Sequence, residues 1–150
     1  MRKFEIVKDE KRKNLSAQIT MPQRATKHSA GYDFYSPIDI IIQPHETQMI
    51  WTDIKAQFAE NEVLLLCVTS SMGKKGISLG NNIGVIDCDY YGNENNDGNL
   101  GFMLYNRNDS EYKISVGDKI GQGIFTTFLT VDDEKEITTE RKGGFGSTNK

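Results

Sequence analysis

The chain has 150 residues, about the length of one domain, and its apolar fraction of 37% is typical of a small domain with much surface or of one that completes its core by association. Its 18 basic and 21 acidic residues leave a net charge of −3 with no block of one sign. This balance argues against a general nucleic-acid-binding surface and against an anionic-membrane surface. An anionic ligand would need a local site.

Neither the N-terminus nor the cysteines indicate export. Residues 1–14 alternate charged and isolated apolar residues and lack the apolar centre of a signal peptide. The longest aliphatic runs, 40–42 and 63–66, are far too short to span a bilayer. Cys67 and Cys88 have no metal-binding spacing. We therefore expect a reduced, cytoplasmic protein that contacts neither membrane nor nucleic acid.

Short apolar or alternating runs follow one another along the chain, separated by turn residues. They favour strands because they are rich in β-branched and aromatic residues and show no sustained helical period. The expected strands are 4–7, 19–21, 38–42, 48–54, 63–68, 83–86, 102–105, 112–116 and 120–129. This pattern predicts an all-β sandwich, jelly roll or small barrel. The polar segment 92–99 is expected to be a hairpin tip or surface excursion.

The C-terminal segment 141–150 has a composition suited to a small anionic ligand. Its glycines let backbone N–H groups approach phosphates, and the ring of Phe145 can lie on a flat base. Arg141, Ser147 and Thr148 can donate hydrogen bonds to phosphate oxygens. A solvated tail is the alternative interpretation, because most C-termini are solvated.

Four further segments combine glycines with polar side chains. Asp87 and Asp89 lie in one of them and are expected on the same face of a strand, either as a functional pair or as two solvated carboxylates. The segments are Ala-Gly-Tyr-Asp at 30–33, Ser-Ser-Met-Gly at 70–73, Gly-Val-Ile-Asp-Cys-Asp-Tyr at 84–90 and Gly-Asp-Lys-Ile-Gly-Gln at 117–122.

Together with Arg-Lys-Gly-Gly-Phe-Gly-Ser-Thr at 141–148, and in this order, the segments resemble the five motifs of the trimeric dUTP pyrophosphatases (dUTPases). The resemblance implies a distorted jelly-roll barrel and a homotrimer with active sites at its subunit interfaces. It assigns residues 1–140 to a catalytic barrel. It assigns residues 141–150 to a flexible tail that closes the site of a neighbouring subunit.

The resemblance also implies an activity, the hydrolysis of dUTP to dUMP and pyrophosphate with Mg²⁺, which limits uracil in DNA and supplies dUMP for thymidylate synthesis. By this likeness Asp87 is the general base for a water that attacks the α-phosphorus. Tyr90 would pack under the deoxyribose and exclude a 2′-hydroxyl. Uracil would pair with the backbone around Gly84 and Gly101. Asp33 would organise the metal through water.

The remaining implied substrate contacts surround the phosphates and the base. They are Ser70, Ser71, Gly73, Gln122, Arg141, Phe145, Gly146, Ser147 and Thr148.

Three features depart from the family pattern. Thr69 stands where an arginine usually precedes the serine pair, and Lys74 or Lys75 is a weaker replacement because lysine lacks the guanidinium fork. The spacing from Arg141 to Phe145 is one residue shorter than usual. Residues 92–97 resemble an insertion beside the base pocket.

Two alternatives stay open on the sequence. A dCTP deaminase shares the fold, but its chemistry needs a glutamate near the base, and Glu94 lies in the insertion. A dUTPase-like protein that mainly regulates a partner is the other alternative, suggested by Thr69 and the insertion.

Overall fold

The computed structural model describes residues 1–146 and contains twelve strands within that range. They are β1 Lys3–Ile6, β2 Gln23–Arg24, β3 Tyr32–Tyr35, β4 Ile40–Ile42, β5 Thr47–Trp51, β6 Ile54–Gln57, β7 Glu62–Cys67, β8 Ile77–Leu79, β9 Gly84–Ile86, β10 Gly101–Asn106, β11 Tyr112–Ile114 and β12 Lys119–Thr127.

The strands pair antiparallel into four small sheets, in the orders β1-β6, β5-β10-β8, β11-β4 and β2-β3-β12-β7-β9. The all-β prediction is therefore confirmed. The apolar run Val-Leu-Leu-Leu lies in β7, between β12 and β9. A continuous apolar run suits this strand because the adjacent residues Val63 and Leu64, which point to opposite faces of the sheet, are both buried.

The core lies between the sheets and is closed by aromatic rings. Phe34 and Phe102 are fully buried with ring centroids 5.2 Å apart. Gly121 lies against this pair, and a Cβ there would come within 2.2 Å of the Phe102 ring. The glycine therefore lets β12 pass close to the core, and this close approach fixes the position of the neighbouring Gln122.

Within residues 1–146, helical structure is confined to short segments. A five-residue helix, α1 (Ser70–Lys74), follows β7, and single 3₁₀ turns cover Asp9–Lys11 and Cys88–Tyr90. Thr69 is the N-cap of α1, where its hydroxyl accepts a hydrogen bond from the backbone N–H of Met72 at 3.4 Å. Threonine at position 69 thus has a structural role that arginine cannot fill, because a cap needs a short side-chain acceptor.

The strand predictions are wrong in several places. Residues 19–21 form no strand, and β2, β3 and β8 were not expected. The run 48–54 divides into β5 and β6 because Asp53 adopts a left-handed backbone with φ of 58°. The strands that were missed are short, and their stability comes from partners distant in the sequence.

The prediction of a surface excursion at residues 92–99, here termed the asparagine loop, holds for only part of the segment, in which Glu94 and Asn95 are exposed. Asn93, Asp97 and Asn99 are buried. The loop turns back through left-handed residues at Gly92, Asp97 and Gly98. Composition suggested exposure, but these polar groups satisfy one another inside the fold.

Beyond β12 the chain leaves the sheets. Residues 128–140 are exposed and belong to no helix or strand, and they carry the exposed apolar side chains Leu129, Val131 and Ile137. Across the described part of the chain, no helix has the length and apolarity needed to cross a membrane.

Candidate active site

One cavity of about 230 Å³ collects most of the residues singled out in the third and fifth sequence motifs. Seven predicted site residues line it: Gly84, Asp87, Tyr90, Gly101, Arg141, Phe145 and Gly146. The other lining residues are Leu66, Asn81, Val85, Ile86 and Gly144.

Strands β9 and β10 bring Gly84 and Gly101 to the cavity from two different sheets. Gly84 pairs with Leu66 of β7, whereas Gly101 pairs with Trp51 of β5. A Cβ at Gly101 would lie 2.9 Å from the Trp51 ring. The cavity is therefore a slot between two sheets, walled partly by backbone, which suits a flat ligand recognised by backbone N–H and C=O groups.

Asp87 and Asp89 both contact the guanidinium of Arg141. The prediction that they lie on the same face of one strand is wrong. β9 ends at Ile86, and Asp89 lies in the 3₁₀ turn that follows. Arg141 donates from Nη2 to Asp87 Oδ2 at 2.6 Å and from Nε to Asp89 Oδ1 at 2.7 Å. The turn, rather than strand alternation, aims both carboxylates at one guanidinium.

Tyr90 lies buried at the base of the cavity with its hydroxyl fully engaged. The hydroxyl donates to the backbone carbonyl of Asn99 at 2.7 Å and accepts from Nδ2 of Asn96 at 2.7 Å. Burial raises the pKa of the Tyr90 phenol, although the hydrogen bond from Asn96 and the charge of Arg141 oppose that rise. The phenol is therefore neutral at neutral pH and acts as a shaped surface.

The described part of the tail lies over the cavity of its own chain. Gly144 is so close to Tyr90 that a Cβ would come within 2.5 Å of the ring. Phe145 meets Trp51 edge to face, with centroids 5.4 Å apart. The prediction that the tail serves a neighbouring subunit stays a prediction. Ser147 and Thr148 lie outside the described residues.

A second group of predicted residues lies elsewhere on the five-stranded sheet. Gln122 of β12 pairs with Asp33 of β3 on one side and with Cys67 of β7 on the other. Its side chain donates to the Val68 carbonyl at 3.3 Å. The remaining members, Ser70, Ser71 and Gly73, are exposed on α1. None of these predicted residues lines the cavity.

The sheet register measures how far apart the two groups are. Ile86 pairs with Leu64, so Asp87 is one residue beyond that pair, while Gln122 pairs with Cys67. The two residues are thus separated by four residues along the strands and by two strand spacings. At about 3.3 Å per residue and 4.8 Å per strand, their Cα atoms are roughly 16 Å apart.

The carboxylates within residues 1–146 suit a magnesium ion that arrives bound to a phosphate ligand. No group of three or more His, Cys, Asp or Glu side chains in this range could hold a metal ion. Asp33 is nearly buried and pairs with Lys119 Nζ at 3.0 Å. One carboxylate beside a cation suits contact through water, and Mg²⁺ commonly keeps its waters and binds phosphate oxygens.

Cys88 is not a nucleophile for this site. Burial raises the pKa of its thiol, and the charges of Asp89 and Asp87 raise it further. The thiolate, which is the reactive form, is therefore scarce at neutral pH. The ionisable side chains among the described residues that line the cavity are Asp87, Tyr90 and Arg141.

Sequence reasoning missed three contributors to the cavity. Trp51 supports Phe145, and Asn96 and Asn99 hold Tyr90. Trp51 belongs to an alternating run that indicated only a strand. The asparagines gave no signal because their role depends on a loop that folds inward.

Comparison with known proteins identifies the family of this chain. The dUTPase family model matches residues 17–149. The curated deoxyuridine 5′-triphosphate nucleotidohydrolase of Lactococcus lactis is 43% identical over 150 residues, covering 99% of this chain and 97% of that protein. The mitochondrial enzyme of that name from Dictyostelium discoideum is 34% identical over 91% of this chain and 74% of its own length. The crystal structure of dUTPase from Streptococcus mutans superposes with a TM-score of 0.73, at 36% identity, over 86% of this chain and 98% of that one. The chain belongs to the dUTPase family.

Proposed function

We propose that this chain hydrolyses dUTP to dUMP and pyrophosphate as a homotrimer. One observation carries the proposal: Asp87 and Tyr90 line the same backbone-walled cavity as Gly84 and Gly101, in a chain of the dUTPase family. The cavity supplies a carboxylate, a buried aromatic ring and a flat slot, which are the groups that a deoxynucleotide and an attacking water require.

Asp87 acts as the general base. Its carboxylate accepts a proton from a water while the water oxygen forms a bond to the α-phosphorus. The bond from that phosphorus to the oxygen bridging to the β-phosphate breaks, and pyrophosphate leaves. Oδ2 of Asp87 accepts a hydrogen bond from Arg141 of its own chain, so this arginine must leave Asp87 before the tail of a neighbouring subunit carries its Arg141 to the phosphates. The same movement frees Asp87 for the water.

The slot and Tyr90 select the nucleotide. Uracil lies between the backbone segments at Gly84 and Gly101, under Phe145, and a 5-methyl group would widen the ring beyond the slot. The Tyr90 ring packs under the deoxyribose, where a 2′-hydroxyl would collide with it. Selection against UTP is therefore steric and depends on where the Tyr90 ring is held.

A second copy of the chain supplies the phosphate contacts. Ser70, Ser71, Gly73 and Gln122 do not line the cavity, and the register separates Gln122 from Asp87 by about 16 Å. A trimer in which these residues face the Asp87 of a neighbour completes the site.

The tail, residues 141–150, closes the site from a neighbouring subunit. Gly146, Ser147 and Thr148 donate to the phosphates there, and closure excludes water and strengthens the electrostatic contacts. Residues 1–140 form the catalytic barrel.

Magnesium would be held as part of the substrate complex, and Asp33 would contact it through water. When bound, it neutralises charge that builds up on the phosphates. We place the reaction in the cytoplasm, where Cys67 and Cys88 stay reduced.

The two alternatives are not favoured. Glu94, the only candidate for deaminase chemistry noted in the sequence, lines a separate groove with Asn95, Lys142 and Gly143. Thr69 has a structural reason as a helix cap, and it therefore gives no support to a regulatory protein without activity.

The test is Asp87→Asn. Pyrophosphate release from dUTP with magnesium should fall by about 10²- to 10⁴-fold, because the amide cannot accept the proton, while folding and assembly are retained. Wild-type protein assayed beside dCTP, dTTP and UTP should release pyrophosphate rapidly from dUTP alone.

The control for this test is Asp89→Asn, which loses the equivalent contact with Arg141 but keeps the base. It should retain far more turnover than Asp87→Asn. Wild-type-like turnover in Asp87→Asn would remove Asp87 from the mechanism, and equal loss in both variants would assign the effect to docking of the tail.

A further inference from the structure

We propose that Asn96 is a positioning residue for Tyr90, and that the asparagine loop thereby sets the discrimination between deoxyribose and ribose. The inference rests on the proposed function, in which the Tyr90 ring excludes the 2′-hydroxyl. It adds a specificity-determining group outside the cavity lining, in the segment that resembles an insertion beside the base pocket.

The Tyr90 hydroxyl is held from two directions. It donates to the Asn99 carbonyl and accepts from Nδ2 of Asn96, both at 2.7 Å. A buried phenol needs such partners, since an unpaired hydroxyl is costly inside a protein. Because one bond is donated and the other accepted, the two together fix how far the ring extends toward the cavity.

Asn96 can present only its NH₂ group to Tyr90. Its Oδ1 accepts from Nδ2 of Asn93 at 2.8 Å and from the backbone N–H of Gly98 at 3.0 Å. A flipped amide would place NH₂ against these two donors, so the hydrogen-bond network itself assigns the orientation.

Asn93 ties the loop to Tyr90 a second time, through the backbone. Its Nδ2 donates to the Tyr90 carbonyl at 2.7 Å, and its Oδ1 accepts from the N–H groups of Asn95 and Asn96. Backbone and side chain of Tyr90 are thus both held by the loop.

The loop is in turn anchored to the body of the protein. Asp97 Oδ2 accepts from Lys55 Nζ at 2.8 Å and from the Lys8 N–H at 2.9 Å. Asn99 exchanges two hydrogen bonds with Asp53, each at 2.9 Å. The loop is therefore anchored at Asp97 and Asn99, near its C-terminal end. These contacts restrict the movement of the loop and, through Asn96, the movement of the Tyr90 ring.

Steric selection depends on this rigidity. A ring that yields by a fraction of an ångström accommodates a hydroxyl, whereas a ring held by two hydrogen bonds does not. Removing the Asn96 amide should therefore admit UTP more than it impairs dUTP.

The experiment measures the ratio of kcat/KM for dUTP to kcat/KM for UTP in wild type and in Asn96→Ala. The ratio should fall about three- to tenfold, the value of one hydrogen bond, chiefly through faster UTP hydrolysis. A purely structural role would lower thermal stability and the active fraction equally for both substrates, and the ratio would not move.

Asn95→Ala is the matched control. Asn95 is exposed in the same loop, and only its backbone N–H donates to Asn93. Its ratio should equal that of wild type. Tyr90→Phe keeps the ring and removes both hydroxyl bonds, so its ratio should also fall. Asn96→Ala added to Tyr90→Phe should lower the ratio no further, because Tyr90→Phe already removes the contact between Asn96 and the ring hydroxyl.

An unchanged ratio in correctly folded Asn96→Ala overturns the inference. If that variant does not fold, an unchanged ratio in Tyr90→Phe overturns it. A wild-type protein that hydrolyses dUTP but does not discriminate against UTP also overturns it. A wild-type protein inactive on dUTP overturns the proposed function itself, and the two failures are thereby distinguished.

Discussion

Arg141 links the tail to the cavity through one guanidinium shared by two carboxylates. The side chains of Asp87 and Asp89 are 53% and 56% exposed, so water and salt screen both contacts. Each such contact is worth less than about 1 kcal/mol. The tail is therefore docked weakly enough for a triphosphate to displace Arg141 from Asp87.

We predict that Asp89→Asn loosens the tail without displacing the barrel. Trypsin should cleave after Arg141 up to about fivefold faster relative to Lys135 in the same chain, because one of two weak ion pairs is lost. Mass spectrometry of the fragments measures both cleavages.

Asp132→Asn removes the same charge from the exposed segment before the tail, and it should leave the cleavage ratio unchanged. Equal ratios in Asp89→Asn and wild type would show that Asp89 does not hold the tail.

The sequence predicted some residues of the site but not the residues that support them. Asp87, Tyr90 and Arg141 were predicted because their motifs are specific, and the structure brings them together in one cavity. Trp51 and Asn96 were missed, since a side chain that supports another is recognised only when the backbone places the two in contact.

At the scale of the structural elements, the asparagine loop is anchored by a buried ion pair between Asp97 and Lys55. Burial opposes ionisation of Asp97, but the hydrogen bonds from Lys55 and Lys8 and the charges of both lysines outweigh it, and the pKa of Asp97 lies below its ordinary value. This stabilisation is complete above the unfolded-state pKa of about 4 and is lost as the pH falls through the folded-state value.

Asp97→Asn should therefore lower the free energy of unfolding at pH 7 by roughly 3 kcal/mol, because Lys55 is left buried without its partner. The difference from wild type should shrink as the pH falls below about 4, where Asp97 becomes protonated first in the unfolded chain and then, at lower pH, in the folded protein. Urea denaturation at fixed protein concentration, from pH 7 to pH 3, measures both values.

Asp109→Asn, at an exposed carboxylate paired with His45, should change the free energy of unfolding by less than about 0.5 kcal/mol. A difference between Asp97→Asn and wild type that stays constant down to pH 3 would contradict the assigned titration.

The elements themselves were predictable where local sequence decides them. The expected strands 63–68 and 120–129 correspond to β7 and β12 within two residues, because both are long and apolar or β-branched. β8 has three residues and is held by β10, so its stability is not local. The burial of Asn93, Asp97 and Asn99 in the asparagine loop was not predicted. Composition shows how many polar groups a segment has but not which of them form hydrogen bonds with one another.

At the scale of the whole molecule, the predicted site residues lie on two separate surfaces. The cavity holds Asp87, while the exposed face of α1 presents Ser70. Residues 128–140 add exposed apolar side chains between the barrel and the tail. Both features are expected of a chain that is completed by copies of itself.

Mixing two inactive variants tests this division. Asp87→Asn lacks the proposed base, and Ser70→Glu places a negative charge where we propose that the phosphates bind. Refolded together in equal amounts, they should recover about a quarter of the wild-type activity, since a random trimer pairs an intact Asp87 with an intact Ser70 from another chain at that frequency.

Each variant refolded alone provides the baseline for the mixture. No recovery in a mixture that forms trimers as efficiently as wild type would mean that both residues serve one site from the same chain.

The engagement of Asp97 also bears on how the protein ages chemically. Aspartate followed by glycine is prone to isomerise, because the glycine nitrogen attacks the side-chain carbonyl carbon. Here the Asp97 carboxylate is held by Lys55 and Lys8, and the Gly98 N–H donates to Asn96. Isomerisation at this peptide bond therefore requires the loop to open, and its rate during storage records how often the loop opens.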